Sequence, residues 1–305
     1  MSIVIDAAVC SDKGRIRGNN EDNFLFNGLY MKKQDVNEGG LFQIECRDRM
    51  QYYAVCDGMG GVDAGEEAAY TAVCELGRML PGLDALEKPN ALTEGIQRIS
   101  DQIYEEAKQR GGKSGSTMAL VSIAFERARA FNVGDSRVYM LHNGSLQRIS
   151  TDHSEVQRMI AMGILTEEEA RTHPKRHVIS QFLGMPPAEV RLTVSATEPI
   201  ELTAGDWLLL CSDGLTDMLD DDAIRSVLGG AFNAREAVKN LVQAALQKGG
   251  KDNVTVLCVH TIQVAPKAEL ERLIRLRNAA LVLAALSGFA TIASVLDLIF
   301  GLFGA

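Results

Sequence analysis

Proline is scarce in this chain, at 7 of 305 residues, and tryptophan occurs once, as Trp207. With 46% apolar and 23% charged residues beside it, that scarcity excludes a collagen-like repeat or a disordered low-complexity chain. Aromatic residues reach only 6%, which argues against a stacking platform for single-stranded nucleic acid. Basic residues are outnumbered, 31 against 40, for a net charge of −9. Phosphate-backbone binding rests on clustered Lys and Arg, so nucleic acid is not an expected partner, whereas cations are. No Cys-x-x-Cys spacing occurs among the cysteines at 10, 46, 56, 74, 211 and 258. Cys56, Cys211 and Cys258 lie in apolar runs, where a thiol behaves as a small hydrophobe. Free thiols in a reducing compartment are expected, and a zinc site is not. The N-terminus lacks the basic and apolar regions of a secretory signal.

One long apolar run is present. Residues 278–296 carry no charge, Asp297 interrupts, and another apolar stretch follows. Such a run is long enough for a membrane span, and Arg272, Arg275 and Arg277 precede it, as on a cytoplasmic side. The expected organisation is a globular domain over 1–262, a charged connector over 263–277 and a transmembrane anchor over 278–305. The alternative is a helix docked on the protein itself or in a dimer. Such a helix needs a polar face, and only Ser287, Thr291, Ser294 and Asp297 supply one.

Within 1–262, apolar strand-like runs meet an acidic residue repeatedly. Tyr52–Cys56 runs into Asp57, Ala130–Val133 into Gly134-Asp135, and Trp207–Cys211 into Ser212-Asp213, while Asp252 precedes Asn253–Val259. Val138–Ile149 reads as a hairpin turning at Asn143-Gly144. Helical periodicity covers 64–80, 92–107 and 235–247. This order lacks regular strand–helix alternation, so an α+β domain of antiparallel sheets covered by helices is expected. Residues 154–189 read as an irregular excursion of the kind that gates sites.

Carboxylates converging from neighbouring strand ends repel one another unless a cation sits between them. Asp57, Asp135, Asp213 and Asp252 are the candidates, with Asp22 as a fifth. Hard divalent ions, Mg²⁺ or Mn²⁺, prefer oxygen ligands. Two of them roughly 4 Å apart can clamp a phosphoryl group for in-line attack. Arg17 offers a guanidinium fork matched to phosphate oxygens. If Ile16 faces the core, Arg15 and Arg17 share the opposite face by strand alternation.

In order along the chain, Ser11–Asp22, Val55–Gly61, Gly115-Ser116-Thr117, Asn132–Arg137, Thr151–Ser154, Ser212-Asp213-Gly214 and Asp252–Thr255 resemble the motifs of the metal-dependent protein phosphatase family, the type 2C serine/threonine phosphatases, in its bacterial form. The resemblance covers about residues 6–262. It implies an antiparallel β-sandwich flanked by helices. It implies hydrolysis of phosphoserine and phosphothreonine, without a covalent intermediate, by two Mn²⁺ or Mg²⁺ ions. Asp57 would bridge both ions, the Gly58 carbonyl would bind one, and Asp213 and Asp252 would complete the set. Asp135 falls where a third, weaker ion binds. Arg17 would hold the phosphate, and Glu21 and Asp22 would hold metal-bound waters. Phosphorylated proteins would be the substrates, on the cytoplasmic face of the membrane. A membrane serine/threonine kinase as partner follows from analogy alone.

Two departures stand out. Many bacterial members carry a histidine after Met-Gly-Gly, but here Val62 follows Met59-Gly60-Gly61. His153 is the nearest motif histidine and is expected to be structural. Residues 30–48 read as an insertion. A phosphoprotein-binding module without catalysis would require a lost metal ligand, and none is lost. A small-molecule phosphate or one dedicated regulatory partner stays open as substrate.

Overall fold

The computed structural model describes residues 2–264, except 47, 49 and 61–63, together with residues 275–278. Strands β1 (Ser2–Asp12), β2 (Asp22–Phe26), β3 (Gly40–Cys46) and β4 (Met50–Gly60) lead into helices α1 (Gly65–Met79) and α2 (Pro89–Gln109). Next come β5 (Ser114–Ser116), β6 (Met118–Ala124), β7 (Arg127–Val133), β8 (Arg137–His142) and β9 (Ser145–Arg148). Helices α3 (Glu155–Ala161) and α4 (Glu167–Thr172) form the flap. After β10 (Ser195–Ala196), β11 (Ile200–Glu201) and β12 (Trp207–Cys211) come α5 (Asp213–Thr216), α6 (Asp221–Gly230), α7 (Ala234–Gln247) and β13 (Val254–Val264).

Two sheets result. One has the order β3-β1-β13-β12-β8-β9 and the other β10-β7-β6-β4-β2, with β11 beside β7 and β5 beside β4. The β2–β4–β6–β7 and β8–β12–β13 pairings are antiparallel. The sheets meet where β6 packs on β8 and β12 packs on β4 and β6. Strand alternation then assigns each side chain to a layer. In β12, Trp207, Leu209 and Cys211 join Leu241 and Val238 of α7 in one core. The intervening Leu208 and Leu210 are just as buried, and point toward the other sheet. In β4, Ala54 and Cys56 pack with Ala69, Leu76 and Ile96 of α1 and α2. Both faces of the central strands are covered, so these strands read as continuous apolar runs. The layers are helix, sheet, sheet, helix, matching the expected α+β sandwich.

The hairpin turns where expected, with Asn143 and Gly144 at φ 51° and 77°, the positive values a two-residue turn requires. The expected insertion contributes a 3₁₀ turn, Val36–Glu38, and the edge strand β3, paired to β1. Val4–Ile262 form one compact unit, which carries every candidate site residue. The expected anchor, 278–305, lies outside the described residues except for Asn278, as does most of the connector. Residues 275–278 are helical. Among the described residues no helix is long and apolar enough to cross a membrane.

Candidate metal centre

The loop after β1 carries Arg17 and Glu21, and a residue from the far end of the chain shapes it. Asn253, 5% exposed, donates through Nδ2 to the carbonyls of Lys13 (2.9 Å) and Asn19 (2.8 Å). Its Oδ1 accepts from the Glu21 amide at 2.8 Å. The fully buried Asn20 donates to Ser11 Oγ and to the Val36 carbonyl, and its own amide donates to Asn37 Oδ1 at 2.7 Å. The insertion therefore braces the arginine loop. Residues 13–20 are not a strand, and Ile16 is 71% exposed. Arg15 and Arg17 therefore do not share a strand face, contrary to the expectation from alternation. Arg17 is aimed instead by Asp252, whose Oδ2 accepts from Nη2 at 2.6 Å.

Asp22 and Asp57 are register partners on β2 and β4. Asp57 lies inside β4, which continues to Gly60, rather than at its end. Its amide donates to Thr117 Oγ1 (3.0 Å), and its carbonyl accepts from Ser116 Oγ and the Thr117 amide. Thr117 Oγ1 also pairs with Ser136 Oγ at 2.6 Å, which ties the Asp57 strand to the turn bearing Asp135. Gly134 in that turn has φ 96°, and a Cβ there would sit 2.7 Å from the Thr117 side chain. A Cβ at Gly58 would lie 2.1 Å from the Gly65 carbonyl oxygen, so only glycine lets α1 begin this close to the strand. The Glu21 carboxylate accepts from the Gly65 amide at that helix start. Asp213 opens α5 directly after β12. Ser212 Oγ donates to Asp22 Oδ2 at 2.7 Å and accepts from the Thr255 amide at 3.0 Å.

The predicted carboxylates therefore act on one another electrostatically. Asp135 and Asp213 line one cavity, and among the described residues the ligand atoms within 4.8 Å of one another are those of Asp213, Asp217 and His177. Asp22 is fully buried, whereas Asp57, Asp135, Asp213 and Asp252 keep part of their surface open. Burial, then Asp22, Asp213, Asp135 and Asp252, pushes the Asp57 carboxyl well above the usual range. Burial, then Asp135, Asp217, Asp252 and Asp22, does the same to Asp213. Burial raises Asp22 to about 7, against opposing hydrogen bonds from Ser212 and Thr255. Asp135 also reaches about 7, through burial and then Asp152. Glu21 is raised, again chiefly by burial. Asp22 Oδ1 is buried and has no hydrogen-bond partner. Clustered carboxylates with an orphaned buried oxygen are what a multivalent cation stabilises. The ligands expected from the sequence offer only oxygen, with the His177 ring, among the described residues, as the one nitrogen donor beside them. Burial holds the neighbouring Cys211 thiol at about 12, so it offers no thiolate at neutral pH. The residues fit hard divalent ions.

His153 is engaged at both ring nitrogens. Nδ1 accepts from the Gly134 amide at 3.3 Å, and Nε2 pairs with Ser195 Oγ at 2.7 Å. Burial lowers its pKa, as suits a neutral structural residue. His177 of the flap is the histidine beside the carboxylates. Its Nδ1 is 4.0 Å from Asp213 Oδ2, and its Nε2 is 3.7 Å from Asp217 Oδ2. No sequence signal singles out His177, Asp217 or Asn37, and Asn253 is visible only as a motif residue without a role.

A family profile described as protein phosphatase 2C matches residues 41–249. This chain belongs to the protein phosphatase 2C family. It is a metal-dependent serine/threonine phosphoprotein phosphatase that uses Mn²⁺ or Mg²⁺. It is 33% identical over 255 residues to the serine/threonine phosphatase stp of Listeria welshimeri, covering 82% of this chain and 93% of that protein. The serine/threonine phosphatase of S. agalactiae superposes with a TM-score of 0.72 at 28% identity, over 85% of this chain and 100% of that one. The catalytic domain of the phosphatase PstP, solved in complex with 2 manganese ions, superposes with a TM-score of 0.65 at 31% identity, over 86% and 100%.

Proposed function

We propose that this phosphatase works through two divalent ions held by Asp57, the Gly58 carbonyl, Asp213 and Asp252, with a third ion at Asp135. The observation that carries this reading is the convergence of strand-borne carboxylates. Asp22 and Asp57 are register partners, Ser212, directly before Asp213, donates to Asp22, and burial followed by the neighbouring carboxylates raises both Asp57 and Asp213. Bound there, such ions supply an activated water at neutral pH and neutralise charge on the phosphoryl group.

The remaining roles belong to the chain itself. Arg17 presents its guanidinium to the phosphate oxygens while its contact with Asp252 holds it at the metal edge. Asp22 and Glu21 stand behind the ligands and orient water, with Ser212 and the Gly65 amide fixing their carboxylates. Without a histidine after Gly60-Gly61, proton delivery to the leaving alcohol falls to solvent or to another side chain.

The apolar segment 278–305 anchors the enzyme at the cytoplasmic face of the cell membrane, with phosphorylated proteins as substrates. Its support is the uncharged run behind Arg272, Arg275 and Arg277. A membrane serine/threonine kinase is the analogous opposing partner.

The test is turnover of a phosphothreonine peptide by the EDTA-treated protein. Activity returning with Mn²⁺ or Mg²⁺, and exceeding that on sugar phosphates, supports the proposal. Activity that persists in EDTA contradicts it.

A further inference from the structure

A cavity of about 830 Å³ lies between the flap and the sandwich edge, and Asp135 and Asp213 line it beside the proposed metal ions. Most charges on its wall are already paired. Arg137 grips Asp152 through Nε and Nη2. Arg148 reaches Asp152 and Glu167. Arg171 lies 3.5 Å from Asp221, and His177 faces Asp213 and Asp217.

Two wall cations differ. Arg176, on the flap beyond α4, and Lys251, directly before Asp252, are both exposed. Among the described residues neither side chain has an ion-pair or hydrogen-bond partner. One comes from the flap and the other from the scaffold, on the wall of the same space.

We infer that this cavity is a subsite for a second anionic side chain of the substrate, a carboxylate or a phosphate, clamped between Arg176 and Lys251. The inference rests on the phosphatase reading of the adjoining carboxylates and adds the substrate class. The enzyme prefers phosphorylated residues flanked by acidic or further phosphorylated residues, despite its net charge of −9.

The experiment measures kcat/KM for the full-length enzyme with Mn²⁺ on three phosphothreonine peptides of equal length. One has neutral flanks, one has glutamates on both sides, and one carries a second phosphothreonine. Both anionic peptides are expected to exceed the neutral one about fivefold or more at low salt, the scale of two favourable charge contacts, with the gap closing as salt rises. In the Arg176→Gln/Lys251→Gln double variant the ratio should fall toward one, while Arg176→Lys/Lys251→Arg should retain it. Lys108→Gln/Lys239→Gln, on α2 and α7 and away from the cavity wall, serves as the control for the same change in net charge. A preference for the doubly phosphorylated peptide alone names phosphate as the ligand. Equal kcat/KM for all three peptides, or a ratio that survives the double Gln variant, overturns the subsite while leaving the phosphatase reading intact. Failure to turn over any peptide with Mn²⁺ overturns both.

Discussion

Arg17 and Asp252, 235 positions apart in sequence, are joined by a hydrogen bond of 2.6 Å. The contact links the proposed phosphate-holding cation to a proposed metal ligand, so the two functions share one support. Replacing Arg17 with alanine should lower kcat/KM on phosphopeptides about 10- to 100-fold, the scale of lost charge-assisted hydrogen bonds. Arg17→Lys should recover little, because an ammonium lacks the fork. Full activity in Arg17→Ala would remove the residue from the site.

Asp57→Asn and Asp213→Asn should each cut metal-dependent turnover on the order of 10³-fold, equivalent to several kcal/mol of transition-state stabilisation. Both variants should still fold. Without metal they should melt above the parent protein, since each removes a carboxyl whose ionisation burial and then the neighbouring carboxylates oppose. Circular dichroism in EDTA reads the second effect, and melting below the parent would contradict the electrostatic account.

The same carboxylates set a dependence on pH. Folded Asp22 and Asp135 are raised from 3.8 to about 7, so between these values the folded state holds more protons than the unfolded chain. Stability without metal must then fall as pH rises through that window. Saturating Mn²⁺ or Mg²⁺ replaces the lost protons. At about 100-fold over its Kd, an ion contributes about 2.7 kcal/mol. Added metal should therefore raise Tm by about 5–10 °C at pH 8, and by much less at pH 5. Equal shifts at both pH values would show that the ions do not bind where these protons sit.

Asn253→Ala removes two donors to the Lys13–Asn19 loop and the acceptor for the Glu21 amide. A loss of about 2–3 kcal/mol of stability is expected from these buried bonds. A purely structural role would end there. A positioning role also raises KM for phosphopeptides several-fold more than it lowers kcat, because the loop that frees itself carries Arg17. Steady-state kinetics below the variant's Tm separate the two roles.

The carboxylates are legible in the sequence because each adjoins an apolar run, and such a run buried on both faces can be only a central strand here. The helices α1, α2 and α7 are legible for a different reason: each buries one face, so its apolar residues recur at a period near 3.6. Other features are long-range and leave no local pattern. The Arg17 loop takes its shape from Asn253, and residues 13–20, not being a strand, have no alternating faces. The 30–48 insertion matters through Asn37, a side chain that caps one backbone amide. Helix α6 buries only Ile224 and Leu228, too few for a periodic signal. His177 reaches Asp213 only because the flap folds back over the metal edge.

Deleting residues 278–305 should move the protein from the membrane fraction to the soluble fraction with little change in kcat. Fractionation before and after the deletion is the check. A full-length chain that is already soluble and dimeric would make this segment a partner interface instead.

The most direct test of the account is a calorimetric titration of Mn²⁺ into the metal-free full-length protein and its Asp57→Asn variant. The account predicts two tightly held ions per chain in the parent, a weaker third, and loss of the tight pair in Asp57→Asn. Unchanged tight binding in that variant would place the metal centre elsewhere.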